Sequence, residues 1–121
     1  MTDINGVIAD YLATWNAEDE KARAEAAERA FAPGATYVDP LVRASGREDI
    51  TAVIASVRQQ FPGLSFTPGG VADGHHDVLR FDWNLGTPEE PDLIVGFDVV
   101  SLAADGRIEQ VIGFLDKVPQ G

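Results

Sequence analysis

Residues 93–102, LIVGFDVVSL, constrain the fold more than any other stretch. Successive strand residues point to opposite sides, so this run places apolar groups on both faces of a strand. Asp98 is the one charge in it. A strand greasy on both sides must be covered twice, once by each neighbouring layer. Its flanks carry the same message. In HDVLRFDWNL, Leu79, Phe81, Trp83 and Leu85 share one face, while Arg80, Asp82 and Asn84 take the other. In RIEQVIGFLD, parity puts Ile108, Ile112 and Phe114 on one side and Val111 and Leu115 on the other. GTPEEP and ADG between these runs read as hairpin loops. Three antiparallel strands of about 75–85, 92–102 and 107–116 follow, preceded by a short one in LSFTP.

The first half of the chain has a different period. Ile4, Val7, Ile8, Tyr11, Leu12 and Trp15 recur at three- and four-residue steps, one apolar face of a helix that Thr2 or Asp3 can cap. A second helix, from about Glu18 to Phe31, buries a thin stripe of Ala24, Ala27 and Phe31, with PG at 33–34 as its stop. Its early acids Glu18, Asp19 and Glu20 complement the helix dipole. ATYVDP is a short strand in which Ala35, Tyr37 and Asp39 share a face. Ser45 and Glu48 have capping-box spacing and open a third helix, whose buried face is Ile50, Val53, Ile54, Val57 and Phe61. Helices first and a meander after them is an α+β pattern with the helices on one side of the sheet. The other side, apolar at its end strands, calls for a second cover, most economically a homodimer through the outer sheet face.

Composition narrows the function. The 121 residues suffice for one domain, 1–121. Twenty acids against nine Lys and Arg give a formal charge of −11, which repels phosphate backbones and anionic bilayers; neither nucleic acid nor a membrane is expected as partner. No apolar run reaches the roughly 20 residues that span a bilayer. MTDINGVIADYL lacks a basic leader region, and the chain has no cysteine, so a cytoplasmic address is expected. DGHHD at 73–77 reads as a turn rather than a metal site, because adjacent strand histidines face opposite ways. No phosphate loop or nucleotide fingerprint is present, and the GG at 69–70 reads as a turn. No cofactor and no metal are expected.

YLATWNAED, FAPGATYVDP, GREDITAVI and DVVSLAADGRIEQVIGFLD together resemble the SnoaL-like proteins of the nuclear transport factor 2 superfamily, whose fold ketosteroid isomerase shares. The likeness spans about residues 4 to 118. It implies an NTF2-like cone: a curved, mainly antiparallel sheet wrapped by three helices around an apolar pocket, commonly as a dimer. It also implies roles. The strand-end D-P pair puts Asp39 at the isomerase's general base, the first helix puts Tyr11 at its oxyanion tyrosine, and the penultimate strand puts Asp98 at its protonated oxyanion aspartate. The handling of two carboxylates in ketosteroid isomerase is a standard illustration of such tuning.

The residues themselves leave alternatives open. Asp39 is a general base if it faces a cavity, or a turn acid before proline, or a partner for Arg43 or Arg47. Asp98 is a neutral hydrogen-bond donor or one half of a structural ion pair, with Arg80 the nearest mate. Trp15, Tyr37, Phe61, Phe81, Trp83 and Leu115 are expected to line the substrate site. The function so implied is a cofactor-independent isomerase or polyketide-cyclase-like enzyme moving a proton on a small apolar carbonyl compound. The alternatives are a non-catalytic small-ligand or dimerisation module, and epoxide hydrolysis, although the arginine-bridged carboxylates usual for the latter are absent.

Overall fold

A computed structural model describes residues 3–119. Three helices precede most of the sheet: α1, Ile4–Asn16; α2, Glu20–Ala30; and α3, Gly46–Gln60. The strands are β1, Phe31–Val38; β2, Arg43–Ser45; β3, Ser65–His75; β4, Val78–Gly86; β5, Ile94–Leu102; and β6, Ile108–Lys117. They form one six-stranded sheet in the order β2-β1-β6-β5-β4-β3. All neighbours are antiparallel except β1 and β6, which run parallel. The sheet is mixed, curved and unclosed, and the helices pack into its concave side as the α+β cone expected.

The apolar period of α1 buries Ile8, Tyr11, Leu12 and Trp15 against the sheet. Asp3 takes the N-cap position without a side-chain cap bond, and Thr2 lies outside the described residues. In α3, Ile50 and Ile54 are fully buried, with Val53, Val57 and Phe61 packed half-buried beside them. Ser45 precedes that helix but makes no capping bond.

Helix α2 differs from its expected form. It starts at Glu20, capped by Asp19, whose carboxylate accepts from Ala22 N at 2.7 Å. It buries Arg23, Ala26, Ala27 and Ala30, and leaves Ala24 exposed. Phe31 is already strand, paired with Ile108. Pro33–Gly34 therefore does not stop a helix; it lies in a register irregularity of β1 between Phe31 and Thr36, where a missing N–H is tolerated. Arg47 secures the α2–β1 junction by donating to the Phe31 carbonyl at 2.7 and 3.0 Å.

The strands bring two further corrections. LSFTP is the start of a long edge strand, and the glycine pair inside it is a bulge between Pro68 and Ala72. Asp82 fills the space beside Gly69 and accepts from Val71 N at 2.7 Å, holding the bulge open. In β6, Ile108 and Val111 are both fully buried on the inner face, against strict alternation. Leu102 pairs with Ile108 while Ser101 pairs with Gln110, so one extra residue switches the parity between them. DGHHD straddles a hairpin: residues 73–75 end β3, and His76 and Asp77 make the turn, His76 with φ 52°.

Candidate active site

Register carries three acid and hydroxyl groups to one place. Asp98 lies on the inner face of β5, opposite Gly113 of β6. Val38 of β1 pairs with Ile112, so Asp39, just past the strand end, arrives beside the same glycine. A methyl group added at Gly113 would stand 2.8 Å from Asp98 Oδ1 and 3.5 Å from Asp39 Cβ. The two acids therefore meet across a glycine, and only a residue without a side chain leaves the space between them open. Gly96 makes a similar opening, because the Trp83 indole lies directly over it.

Tyr11 enters from the helix layer. Its hydroxyl donates to Asp98 Oδ2 at 2.7 Å, and its ring stands edge-on to Phe31 and Phe81. Asp98 is 2 % exposed and, among the described residues, takes part in no ion pair; Arg80 binds Asp73 at 3.4 Å on the outside. The ion-pair alternative for Asp98 thus fails, since strand parity keeps Arg80 on the opposite face. Burial pushes the Asp98 carboxyl up to about 6; hydrogen bonding by Tyr11 and Trp83 pulls it back, and the Asp39 charge adds to the rise. Burial and the Asp98 charge hold the Tyr11 phenol well above its ordinary value.

Asp39 is held differently. Its Oδ1 accepts from Leu41 N at 2.8 Å and Val42 N at 3.0 Å, and its own N–H donates to the Val42 carbonyl. The turn acid and the pocket acid are one residue. Oδ2 accepts from the Tyr37 hydroxyl at 2.6 Å. Arg47 is spent on the α2–β1 junction, and among the described residues no ion pair involves Asp39.

These groups border one cavity of about 260 Å³. Of the residues expected there, Tyr11, Asp39, Asp98, Trp15, Tyr37, Phe61, Trp83 and Leu115 all line it. Phe81 does not: it is 1 % exposed and backs the Tyr11 ring at 5.5 Å, because the inner side of β4 at that level is filled by α1. Among the lining residues that sequence reasoning missed are Gly113, Gln60 and the exposed mouth residue Leu41. Counting back from the ADG hairpin sets Ile112 opposite Asp98, and only the one-residue bulge after Ile108 moves Gly113 there; nothing in the local pattern marks that shift or the other two residues. Neither histidine reaches the cavity, and among the described residues none that lines it is basic. Among the described residues, no three His, Cys, Asp or Glu side chains gather as metal ligands. Among the described residues the buried Trp15 indole N–H makes no hydrogen bond of good geometry, although it faces Tyr11 on the wall of the cavity.

The architecture matches a described family. Residues 8–111 fit the model of the SnoaL-like domain. The chain belongs to the SnoaL-like family. A SnoaL-like protein from Agrobacterium tumefaciens, named as a candidate isomerase, is 44% identical over 96% of this chain and 99% of its own, with a TM-score of 0.89. A candidate polyketide cyclase from Sinorhizobium meliloti is 19% identical over 89% and 93%, TM-score 0.68. A protein of ketosteroid isomerase-like fold from Catenulispora acidiphila, crystallised with trimethylamine, is 18% identical over 92% and 85%, TM-score 0.72. The two distant structures share the fold alone. No curated protein matches the chain. No helix among the described residues is long and apolar enough to cross a membrane.

Proposed function

We propose that this SnoaL-like protein is a cofactor-independent isomerase or cyclase that moves a proton on a small apolar carbonyl compound. The observation that carries the reading is the gap over Gly113, bordered on one side by Asp39 and on the other by Asp98 with Tyr11. A carbonyl oxygen placed against Tyr11 and Asp98 puts its α-carbon within reach of Asp39. Asp39 Oδ2 takes the α-proton and the electron pair moves onto the substrate oxygen. Hydrogen bonds from Tyr11 and, below about pH 6, from protonated Asp98 stabilise the resulting enolate. The aromatic wall of Trp15, Phe66 and Trp83 excludes water, which strengthens those bonds.

The probe is 3-cyclohexen-1-one, whose double bond moves into conjugation when a proton is taken from one carbon and returned to another. Rising ultraviolet absorbance is the readout. Asp39→Asn is expected to slow the reaction by about 10²–10⁴-fold while the protein still binds a phenol in the cavity. Conversion of this and related enones at the wild-type rate by Asp39→Asn sinks the proposal.

A second reading draws on the lining, which is aromatic and acidic with no basic group: the cavity captures a small organic cation and does no chemistry. The neighbour holding trimethylamine is the precedent that favours it. Calorimetric binding of trimethylammonium, unaffected by enones, supports this reading over the first.

The protomer is proposed to pair through the convex face of the sheet. Val38, Phe97, Val99 and Ile112 form a half-buried apolar stripe there, ending in Phe114 at 53% exposure. A dimer in sedimentation at micromolar concentration is expected, and a monomer contradicts the pairing.

A further inference from the structure

We propose that Tyr37 carries a proton in the reaction, as a relay that gives its hydroxyl proton to a distal substrate carbon and is refilled by the proton that Asp39 removes. This rests on the isomerase or cyclase reading above and adds a second proton-handling residue to it. Four observations support it. Asp39 Oδ1 is occupied by the backbone N–H groups of Leu41 and Val42, so Oδ2 is the oxygen left to receive a proton. Oδ2 already lies 2.6 Å from the Tyr37 hydroxyl. Both residues line the cavity; Tyr37 is 5% exposed and Asp39 half-buried, so a proton held on Asp39 meets solvent more readily than one held on Tyr37. The Tyr37 ring rests tilted on Trp15, with centroids 5.8 Å apart, which fixes where its hydroxyl stands.

The steps balance without any co-reactant. The α-C–H bond breaks, its proton forms a bond to Asp39 Oδ2, and the electron pair becomes a dienolate held at Tyr11 and Asp98. The Tyr37 O–H bond then breaks as its proton joins the far carbon of the dienolate. In the same motion the proton on Oδ2 passes to the Tyr37 oxygen. Asp39 ends as a carboxylate, Tyr37 as a neutral phenol, and the double bond has moved. Burial and the Asp39 hydrogen bond keep the Tyr37 phenol far above its ordinary value, so a free tyrosinate does not form and the two transfers are coupled. Delivery from the hydroxyl shifts the point of return by one hydrogen-bond length from the point of removal, which is what transposing a double bond requires.

The experiment measures removal and return separately on 3-cyclohexen-1-one in deuterated water. Loss of the α-proton signals in the nuclear magnetic resonance spectrum reports removal by Asp39; growth of the conjugated absorbance reports return. Tyr37→Phe is expected to retain exchange within about threefold and to lose about 10²-fold or more in conjugation. Equal loss of both rates reduces Tyr37 to a support for Asp39 and overturns the relay, as does loss of neither. Phenol binding to the variant establishes that its cavity is intact. Should it fail to fold, 3,5-difluorotyrosine at position 37 keeps the shape and the hydrogen bond while making the phenol more acidic. The ratio of conjugation to exchange then changes if Tyr37 carries the proton, and an unchanged ratio overturns the proposal. Asp39→Asn provides the separate check: surviving exchange there defeats the underlying reading, whereas lost exchange with a failed Tyr37 result defeats the relay alone. A wild-type chain that neither exchanges nor conjugates this probe overturns both.

Discussion

The cavity holds two tyrosine–aspartate pairs built from the same two side chains and arranged in opposite ways. Tyr11 and Asp98 are 87 positions apart in sequence, joined only by folding, and both are almost wholly buried. Tyr37 and Asp39 are two positions apart on one strand end, and Asp39 is half-buried with its other oxygen bonded to a backbone turn. The difference sets the chemistry. A carboxylate in a dry site favours its neutral form, whereas Asp39 has one oxygen taken by two backbone N–H groups and the other turned to Tyr37. In the proposed reaction the first pair donates hydrogen bonds to the developing oxyanion and the second accepts the proton.

The contrast is broken most sharply at the dry pair. Asp98→Ala is expected to lower turnover of the enone probe about 10²–10³-fold, the usual cost of losing one oxyanion donor. A loss of less than threefold in steady-state assays would assign catalysis to the other pair alone.

The next effect is thermodynamic and has a definite sign. Asp98 has a carboxyl near 6 in the folded state against 3.8 unfolded, so the native protein binds the proton more tightly. Its contribution to stability is complete below about pH 4 and is lost as pH rises to about 6, amounting to about 3 kcal/mol. Asp98→Asn lacks that dependence. Denaturant unfolding of both proteins at pH 4 and pH 7 checks this: the difference between them should grow in favour of the variant at pH 7, and a constant difference refutes it.

Smaller still is the change at Tyr11→Phe, which removes one donor from Asp98 and leaves its carboxylate less satisfied. A cost of about 1–3 kcal/mol at pH 7 is expected, diminishing below pH 6 where Asp98 is protonated. At the mouth, Leu41 is 84% exposed, so Leu41→Ser should alter stability by no more than about 0.5 kcal/mol and raise KM without changing kcat. A fall in kcat there would show that the mouth takes part in the chemistry.

Much of the architecture was legible in the order of periods, because α1 and α3 each have a single strong apolar stripe and β4 alternates cleanly. Helix α2 was misjudged at its end, since an alanine-rich stretch buries little and its boundary is decided by Phe31 pairing with Ile108 across the chain. The parity of β6 failed between Ile108 and Val111 because a one-residue bulge leaves no local mark. Asp98 could be singled out from sequence as a lone charge in an apolar strand, and its true partner could not. That partner, Tyr11, sits on a helix whose depth against the sheet is set by tertiary packing. Phe81 and Trp83 share a face of β4, yet one lies behind Tyr11 and the other lines the cavity, a distinction made by where α1 crosses and by the room left at Gly96.

The most direct measurement is a titration of the Asp98 carboxyl carbon by nuclear magnetic resonance in the wild type and in Asp39→Asn. With two acids facing one hollow, the Asp98 signal should titrate near pH 6 and move to lower pH when the Asp39 charge is removed. A signal titrating near pH 4 and indifferent to that substitution would contradict a shared, dry site.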